Sequence, residues 1–453
     1  DRETMPNLAR LLDKAIVYHN HYASANFTTP GTASILTGKY PWSHKATYGT
    51  GVIDLATSDQ NIFHILKDDY FQVAYTHNAW ADYLIKQQKK NLDQYIYRSE
   101  LFLDDDLIID RLLTNDYDIA NGVEAISLFD NIHVFQSSLI LQRIHLALRK
   151  NTFEFWDALF PRGLPEMGNS KMRFVLEDGI DWLVENLQKL PSPYLGYFHY
   201  LPPHDPYNTR VEFVDQFKED GFHPVEKPVH ILSEGYDQQT LDENRQLYDE
   251  FILYVDAEIG RLFEQLESQG ILDNLWIFLT SDHGEFFERG ELHHTTKLLY
   301  DPVTHVPLLI FPPNNAQRED IYSPTSAVDL LPTVIQLAGK EIPDWCEGLP
   351  LPMKESDKDL DRQVYAFQAA YDLDKTPITK ATMMMVKGHY KAMKSVGYPE
   401  LNGKPLMEVY DLAADPEEMD DLMVSQPKLA HEIAQLLDDK FEEIKQIYDS
   451  KKV

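Results

Sequence analysis

Cysteine is almost absent from this sequence. Cys346 is the only one among 453 residues. A single cysteine rules out an intrachain disulfide and argues against redox or thiolate-zinc chemistry, because both need several thiols. Other residue types must therefore carry the function.

Basic residues are also scarce. Lysine and arginine total 41 against 73 acidic residues, which gives a net charge of -32. Nucleic-acid binding needs basic surface to displace counterions, and anionic membranes attract basic segments. Neither partner is predicted. Apolar residues still make up 43% of the chain, which indicates a globular protein with an acidic, soluble surface.

Long apolar runs are missing as well. No run of about 18 apolar residues occurs, so no transmembrane helix is predicted. The chain starts Asp-Arg-Glu-Thr, with neither a methionine nor a signal-like segment. Together with the lone cysteine, this favours a cytoplasmic location. The sequence does not determine the oligomeric state.

Helical and strand patterns alternate from residue 6 to about residue 340. Pro6–Val17 has a proline in its first turn and leucines at helical spacing, which predicts a helix. Leu247–Ser268 carries its apolar residues on one face and predicts a longer helix. Phe71–Thr76 is predicted as a strand. Leu275–Thr280 and Val306–Phe311 are apolar runs of strand length, which predict strands buried on both faces. This alternation predicts an α/β fold with a mostly parallel sheet between helices.

The pattern changes along the chain and predicts three regions. Residues 1–345 form an α/β domain. Within it, residues 95–168 are rich in Leu, Ile, Phe and Asp and predict a helical insertion, which either caps a site or is peripheral. Residues 346–453 contain short strands and a final amphipathic helix, which predict a small antiparallel sheet in a C-terminal α+β subdomain.

An Asp-His pair follows the apolar strand Leu275–Thr280. Ligands in open α/β sheets bind beyond the carboxyl ends of strands, so Asp282 and His283 are candidates for a metal or phosphate site. The alternative is that Asp282 caps a turn and His283 lies on the surface. The dipeptide alone does not separate these two interpretations.

Two other segments carry candidate residues. The stretch from Ala23 to Gly38 begins as an irregular turn of small polar residues, and Thr32–Thr37 then predicts the start of a helix that Gly38 ends. A hydroxyl at a helix N-terminus suits an anionic substrate. An ordinary capping threonine is the alternative. His204 lies between prolines in Pro202-Pro-His-Asp-Pro, which hold it in a rigid extended segment, either for function or for a structural turn.

These segments together resemble the sulfatase family within the alkaline phosphatase superfamily. Met5-Pro-Asn-Leu-Ala-Arg-Leu resembles the family's Thr-Pro-Asn-Leu-Asp-Arg-Leu. Thr28-Thr-Pro-Gly-Thr-Ala-Ser-Ile-Leu-Thr-Gly resembles the signature Cys/Ser-x-Pro-Ser-Arg-x-x-x-Leu-Thr-Gly. The order and spacing of further matching segments extend the resemblance over nearly the whole chain: His199 to Tyr207, Tyr254 to Gly260, Thr280 to Glu285, Lys297 to Pro307, Asp329 to Thr333 and Glu408 to Leu412.

The resemblance implies a nucleophile that attacks the sulfur or phosphorus of a small anionic ester. It makes Thr28 the nucleophile and places Asp282, His283 and Thr28 around a divalent metal. Fixed positive charge near a transferring sulfuryl or phosphoryl group stabilises the transition state, which agrees with this assignment.

The resemblance also implies roles for four basic side chains. His204 and Lys297 would contact the anionic group or protonate the leaving alcohol. His294, in preference to His293, would bind substrate or a second metal. His77 would stand in for a lysine of the family's Gly-Lys-Trp-His segment, which is replaced here by Thr-His-Asn-Ala-Trp.

Three departures bear on the chemistry. The nucleophile position holds Thr28, which cannot give the formylglycine that sulfatases make from Cys or Ser. It resembles instead the threonine of phosphoethanolamine transferases and lipoteichoic acid synthases. The family's Ser-Arg pair is Gly31 and Thr32. The Asp-His pair, in place of Asp-Asn, favours phosphorus chemistry, and its nitrogen ligand suits zinc or manganese better than calcium, with magnesium also possible.

The family's first strand, which ends in metal-binding acids, has no counterpart in this sequence. We expect it to lie upstream of Asp1 in a longer natural protein. Three hypotheses follow. The first is a metal-dependent hydrolase or transferase that acts on phosphate or phosphonate esters through Thr28. The second is a sulfatase with an unconventional nucleophile. The third is an inactive relative that binds without catalysis.

Overall fold

The computed structural model describes residues 2–47, 49, 51–103, 154–167, 172–315, 317–357, 359, 361–369 and 378–450. The chain divides into two compact units. The first unit comprises Asp1–Arg10, Leu66–His223 and Asn244–Ile271, and the second comprises Leu11–Ile65, Pro224–Glu243 and Leu272–Val453. The predicted boundary near residue 345 stays a prediction. The predicted insertion over 95–168 lies mostly outside the described residues.

The first unit is built on a small parallel sheet. Its strand Phe71–Thr76 lies between Gln94–Tyr95 and Tyr194–His199 and pairs in parallel with both. Glu166–Met167 and Met172–Arg173 form an antiparallel ribbon. The helices are Pro6–Leu11, Ala79–Gln87, Glu154–Leu159, Leu176–Asn186 and most of Gln238–Ser268. Parallel strands connected through helices confirm the predicted α/β class for this unit.

The second unit contains a four-stranded mixed sheet, in the order Glu319–Ile321, Ile16–Tyr18, Leu308–Phe311 and Ile277–Thr280. The first two strands are parallel, and the other pairings are antiparallel. Leu308–Phe311 is buried throughout, as its apolar run predicted. Ile277–Thr280 was predicted to be buried too, but each of its residues is only partly buried. Further short strands are His21–Tyr22, Phe287–Glu288, Glu291–Leu292 and Thr325–Ser326. The helices are Thr28–Thr37, Pro41–His44, Ile62–Leu66, Asp301–Thr304, Leu330–Leu337, Leu422–Ser425 and Pro427–Ser450.

The predicted C-terminal antiparallel sheet is confirmed. Its strands run in sequence order as Gln363–Ala369, Ala381–Lys387, Tyr390–Val396 and Leu406–Asp411. Alternate residues point to opposite faces of a strand. One face, with Met383 and Met385, packs on the final helix. The other, with Met384, packs on Leu298–Tyr300, so this sheet supports the segment that follows Lys297.

Two helix predictions have different bounds in the structure. The predicted helix Pro6–Val17 ends at Leu11, and Ile16–Tyr18 forms a strand in the mixed sheet. The β-branched Ile and Val favour a pleated, buried strand once partners lie on both sides. The predicted helix Leu247–Ser268 begins at Gln238, where Asp237 accepts the backbone N–H of Thr240 at 3.0 Å. The turns that follow this cap are polar. They carry no apolar periodicity, so the sequence pattern did not reveal that the helix starts there.

None of the described helices combines the length and apolarity that a membrane crossing needs.

Acid should destabilise the second unit through two buried histidines. Burial lowers the pKa of His21 and of His44 to about 3. Each folded pKa lies below its unfolded value, so the stabilisation is complete above about pH 6.5 and is lost as pH falls toward 3. We expect each histidine to lower the free energy of unfolding by about 1.4 kcal/mol per pH unit in that window. Urea denaturation across this range measures the slope, and His21→Asn should reduce it; an unchanged slope would contradict the assignment to His21.

Candidate active site

The helix Thr28–Thr37 presents a hydroxyl at its N-terminus. Phe27 before it is extended, and Gly38 ends it in the left-handed conformation at φ 63°. Thr28 is therefore in the first turn, where unpaired N–H groups and the helix dipole favour an anion. Its side chain is buried, with 1% of the residue exposed. The helix starts four residues before the predicted start at Thr32, which brings Thr28 into it.

A glycine lets this helix lie against the Asp282 loop. A Cβ on Gly31 would be 2.4 Å from the carbonyl oxygen of Asp282, closer than any side chain permits. The departure from the family's serine therefore has a local physical reason. Gly284 has a similar role, because a Cβ there would be 2.1 Å from the carbonyl oxygen of Pro302. The two glycines allow the helix, the loop and the following chain to pack backbone against backbone.

The variant Gly31→Ala should lower activity more than stability. Alanine favours a helix by about 1 kcal/mol over glycine, which offsets part of an overpacking cost of about 1–3 kcal/mol. The helix must still move away from Asp282, and a displacement of about 1 Å can cost about 100-fold in rate. We expect kcat/KM on the best ester substrate to fall at least about tenfold. The control Gly260→Ala, in a helix of the first unit, faces the side chain of Asn7 and should leave kcat/KM unchanged; equal losses in both variants would contradict the close-approach role.

The Thr28 helix and the strand Ile277–Thr280 bring the predicted nucleophile and Asp-His pair together. The Nδ1–H of His283 donates to the carbonyl oxygen of Gly284 at 2.8 Å. Its Nε2 therefore accepts the hydroxyl of Thr28 at 3.3 Å and lies 3.8 Å from Asp282 Oδ1. The hydroxyl of Thr32 donates to Asp282 Oδ2 at 3.4 Å. A hydroxyl, an imidazole nitrogen and a carboxylate thus converge.

This donor set suits part of the coordination sphere of a divalent cation. A metal-binding histidine usually donates its second ring N–H to a carbonyl or carboxylate, as His283 does to Gly284. Asp282 supplies a carboxylate and Thr28 a hydroxyl oxygen on the same side. In the described part of the chain, no group of three or more His, Cys, Asp or Glu side chains is placed to hold a metal. Asp282, His283 and Thr28 therefore suit a divalent metal ion, but they supply only part of its ligands.

His294 lies beside this cluster and is oriented by a carboxylate. Its Nδ1 is 3.1 Å from Glu285 Oε2, and its ring centroid is 4.2 Å from that of His283. Asn26 fixes the backbone by donating to the carbonyl oxygen of His294 at 2.8 Å. The side chain of His293, by contrast, is 39% exposed and that of His294 only 5%. The geometry agrees with the preference for His294.

Lys297 is held from three directions. Its Nζ donates to the carbonyl oxygen of Leu232 at 3.2 Å and to Glu400 Oε1 at 2.9 Å. Its own carbonyl oxygen accepts the hydroxyl of Thr382, on the C-terminal sheet, at 2.6 Å. The ammonium is therefore fixed in position, and the C-terminal region contributes directly to its surroundings.

The other two predicted residues, His77 and His204, lie in the first unit. His77 has no exposed surface and packs against Phe174, with ring centroids 4.2 Å apart. Burial lowers its pKa well below the usual value. A neutral imidazole offers no positive charge to an anionic substrate. The substrate-binding role of His77 therefore stays a prediction, and its burial argues against that role. His204 Nδ1 contacts Asp205, 2.7 Å from the carbonyl oxygen, and its role also stays a prediction.

The sequence-based reasoning missed two carboxylates. Glu285 follows the Asp-His pair directly, and its position in Asp-His-Gly-Glu was a signal that could have indicated it. Glu400 has no such signal, because it lies 103 residues from Lys297 and outside any recognised motif. These carboxylates contact two of the four basic groups predicted to act on substrate, His294 and Lys297.

Two family models match this chain. The model described as Sulfatase matches residues 1–340. The model described as N-sulphoglucosamine sulphohydrolase, C-terminal, matches residues 290–447. The two overlap around Lys297, and together they cover both the candidate site and the C-terminal sheet.

Similar proteins include both sulfatases and phosphonate hydrolases. Choline-sulfatase from Rhizobium meliloti is 28% identical over 263 residues, which are 52% of this chain and 48% of that protein. The chain spans less than half the length of the first curated relatives it matches, with shares of 34% and 37% in two others. The structure of phosphonate monoester hydrolase from Silicibacter pomeroyi matches with a TM-score of 0.67 and 17% identity, covering 97% of this chain and 90% of that one. A putative sulfatase from Bacteroides thetaiotaomicron matches with a TM-score of 0.62 and 16% identity, covering 99% and 89%. These structures share the fold.

Proposed function

Because this chain belongs to the sulfatase family, within the alkaline phosphatase superfamily, we propose that it is a metal-dependent hydrolase that cleaves phosphate or phosphonate esters through Thr28. The observation that carries the proposal is the position of the Thr28 hydroxyl. It lies at a helix N-terminus, 3.3 Å from Nε2 of His283. Transfer of the group to an acceptor other than water uses the same first step.

The choice of phosphorus over sulfur rests on the nucleophile. A threonine keeps its hydroxyl, which can form a phosphoester bond, whereas the aldehyde of sulfatases is made from Cys or Ser. The Asp282–His283 pair supports the same choice. The shared fold does not, because phosphonate and sulfate ester hydrolases both have it.

The residues of this chain suggest the following sequence of steps. The Thr28 hydroxyl loses its proton to solvent, Oγ1 attacks phosphorus, and the bond from phosphorus to the leaving oxygen breaks. The N–H groups of the helix and the ammonium of Lys297 bind the remaining oxygens. His294, oriented by Glu285, protonates the leaving alcohol. Water then cleaves the phosphothreonine and restores the hydroxyl.

Members of this family generally bind a divalent metal ion. In this chain Asp282, His283 and Thr28 would hold it. The ion would supply positive charge that lowers the pKa of the threonine hydroxyl and neutralises the transferring group. Zinc or manganese suits the imidazole ligand better than calcium or magnesium.

A sulfuric ester hydrolase is the second candidate. The observation that favours it is the likeness to choline-sulfatase and other proteins named as sulfatases. An inactive binding protein is the third hypothesis, and the same experiment separates all three.

The test measures turnover of aryl phosphate, aryl phosphonate, aryl phosphodiester and aryl sulfate esters that share one leaving group. The full-length protein is assayed with zinc, manganese, magnesium and calcium in turn. Metal-dependent turnover of a phosphorus ester supports the proposal. Faster turnover of the sulfate ester would establish the second candidate, and no turnover with no bound metal would establish the third.

A further inference from the structure

Three basic groups assigned to this site each lie beside a carboxylate. His294 contacts Glu285 at 3.1 Å, and Lys297 contacts Glu400 at 2.9 Å. His283 lies 3.8 Å from Asp282. Apart from a bound metal, this region therefore holds little net positive charge for an anionic substrate.

Lys297 keeps one N–H for a ligand. An ammonium has three donors, and two of them are committed to Leu232 and Glu400. Among the described residues, the third donor is left for an oxygen of the substrate. The charge of that ammonium is already balanced by Glu400, so Lys297 can orient an oxygen without offering a full unit of uncompensated charge.

Glu400 is placed by the C-terminal sheet. It lies in the 3-10 turn Pro399–Leu401, between two strands of that sheet. Its neighbour Tyr398 is buried, and Leu401 packs on the same core, which anchors the turn. The hydrogen bond from Lys297 lowers the pKa of Glu400, which keeps the carboxylate ionised near neutral pH. Its Oε2 has no hydrogen-bond partner in the structure as described and is itself covered, although the side chain as a whole is 36% exposed.

We propose that Glu400 makes the site selective for singly charged esters, such as phosphonate monoesters and phosphodiesters, over doubly charged phosphate monoesters. This inference rests on the proposed function of Thr28 and Lys297. Glu400 is a positioning residue that acts through Lys297 and through its own charge. A second negative charge on the substrate would lie close to the Lys297–Glu400 pair, where repulsion by Oε2 offsets the attraction of the ammonium. A singly charged ester loses little binding energy, because its one anionic oxygen can accept the remaining N–H of Lys297 and no second charge is left to be repelled.

The test compares kcat/KM for three esters with one aryl leaving group: a phosphonate monoester, a phosphodiester and a phosphate monoester. At about pH 8 the phosphate monoester is doubly charged, because its second pKa is about 6. The wild type should prefer the singly charged esters. The variant Glu400→Gln keeps the shape and removes the charge, and we expect it to shift the ratio toward the doubly charged ester by roughly tenfold or more. Glu400→Asp should restore the wild-type ratio.

A matched control is available on the same sheet. Asp361 pairs with Lys387 at 3.4 Å and is fully solvated, so Asp361→Asn removes one charge from another lysine pair. It should leave the ratio unchanged. A wild type that prefers the doubly charged ester would overturn the inference, and so would a Glu400→Gln variant that lowers all rates equally.

Binding separates this inference from the proposed function. In the Thr28→Ala background, calorimetry measures phenylphosphonate, which is doubly charged, against its monomethyl ester, which is singly charged. Tighter binding of the monoester that depends on Glu400 supports the inference even where no ester is turned over. Equal binding with normal turnover would overturn the inference and leave the proposed function intact.

Discussion

The Thr28→Ala variant is expected to lose at least about 1,000-fold in kcat on the best phosphorus ester, because removal of a catalytic nucleophile costs about this much or more. The hydroxyl joins the helix N-terminus to Nε2 of His283, at 3.3 Å. Alanine leaves the helix and the Asp282 loop in place. The loss should therefore fall on kcat, with substrate binding preserved.

A matched control lies next to it in the chain. Thr29 is also buried, and its hydroxyl donates to the carbonyl oxygen of Gly49 at 2.6 Å. Thr29→Ala loses a buried hydrogen bond worth about 1 kcal/mol of stability but no reacting atom. It should keep kcat within about threefold, as expected for a group that makes no contact with the transition state.

A covalent intermediate gives a second measurement. Rapid quenching of the wild type during turnover should trap a phosphoryl group on Thr28, which mass spectrometry of the digested protein detects. The Thr28→Ala variant should show no adduct. Full activity of Thr28→Ala, or an adduct on another residue, would show that Thr28 is not the nucleophile.

The Asp282→Asn variant has the second largest expected effect. It replaces an anionic metal ligand with a neutral one, while Thr32 can still donate to the remaining oxygen. Removing a residue that only hydrogen-bonds to a metal ligand costs about 10- to 100-fold in metal affinity. Removing the charge of a ligand itself should therefore cost at least about 100-fold. Titration calorimetry with zinc and manganese measures the affinity directly.

Activity should follow the metal. At limiting metal Asp282→Asn should be inactive, and excess metal should restore part of the rate. Asp320→Asn is the control, since Asp320 is a carboxylate on the same sheet that pairs with His19 on the surface. It should bind metal as the wild type does. Unchanged metal affinity in Asp282→Asn would remove this residue from the ligand set.

Local sequence signals predicted much of the fold. The strand Phe71–Thr76 has the predicted bounds, and the strand before Asp282 ends at Thr280 as predicted. Both are short apolar runs closed by polar residues, so the pattern does not depend on distant partners. Local patterns give the wrong secondary structure where pairing with a distant strand determines it. Ile16 and Val17 were assigned to a helix, but they pair with strands about 300 residues away.

For the candidate site too, some residues were predictable from sequence motifs and others depended on distant contacts. The resemblance indicated Thr28, Asp282 and His283, and the structure brings their side chains together. His77 was chosen because it stands where the family has a lysine in its Gly-Lys-Trp-His segment, and that match says nothing about the aromatic rings that bury it. Tyr75 lies on the strand that leads into His77, but the other rings that cover it, Phe102, Phe174 and Tyr200, come from three separate segments.

The sequence by itself determined the family, the α/β class and the residue types at the nucleophile and the metal pair, because these depend on ordered motifs and local patterns. Only the tertiary structure decided what holds the basic groups. Lys297 meets Glu400 because the C-terminal sheet packs against the segment after Lys297. No local pattern encodes that contact, since it depends on packing between segments 103 residues apart. Charge balance in this site is therefore a property of the fold.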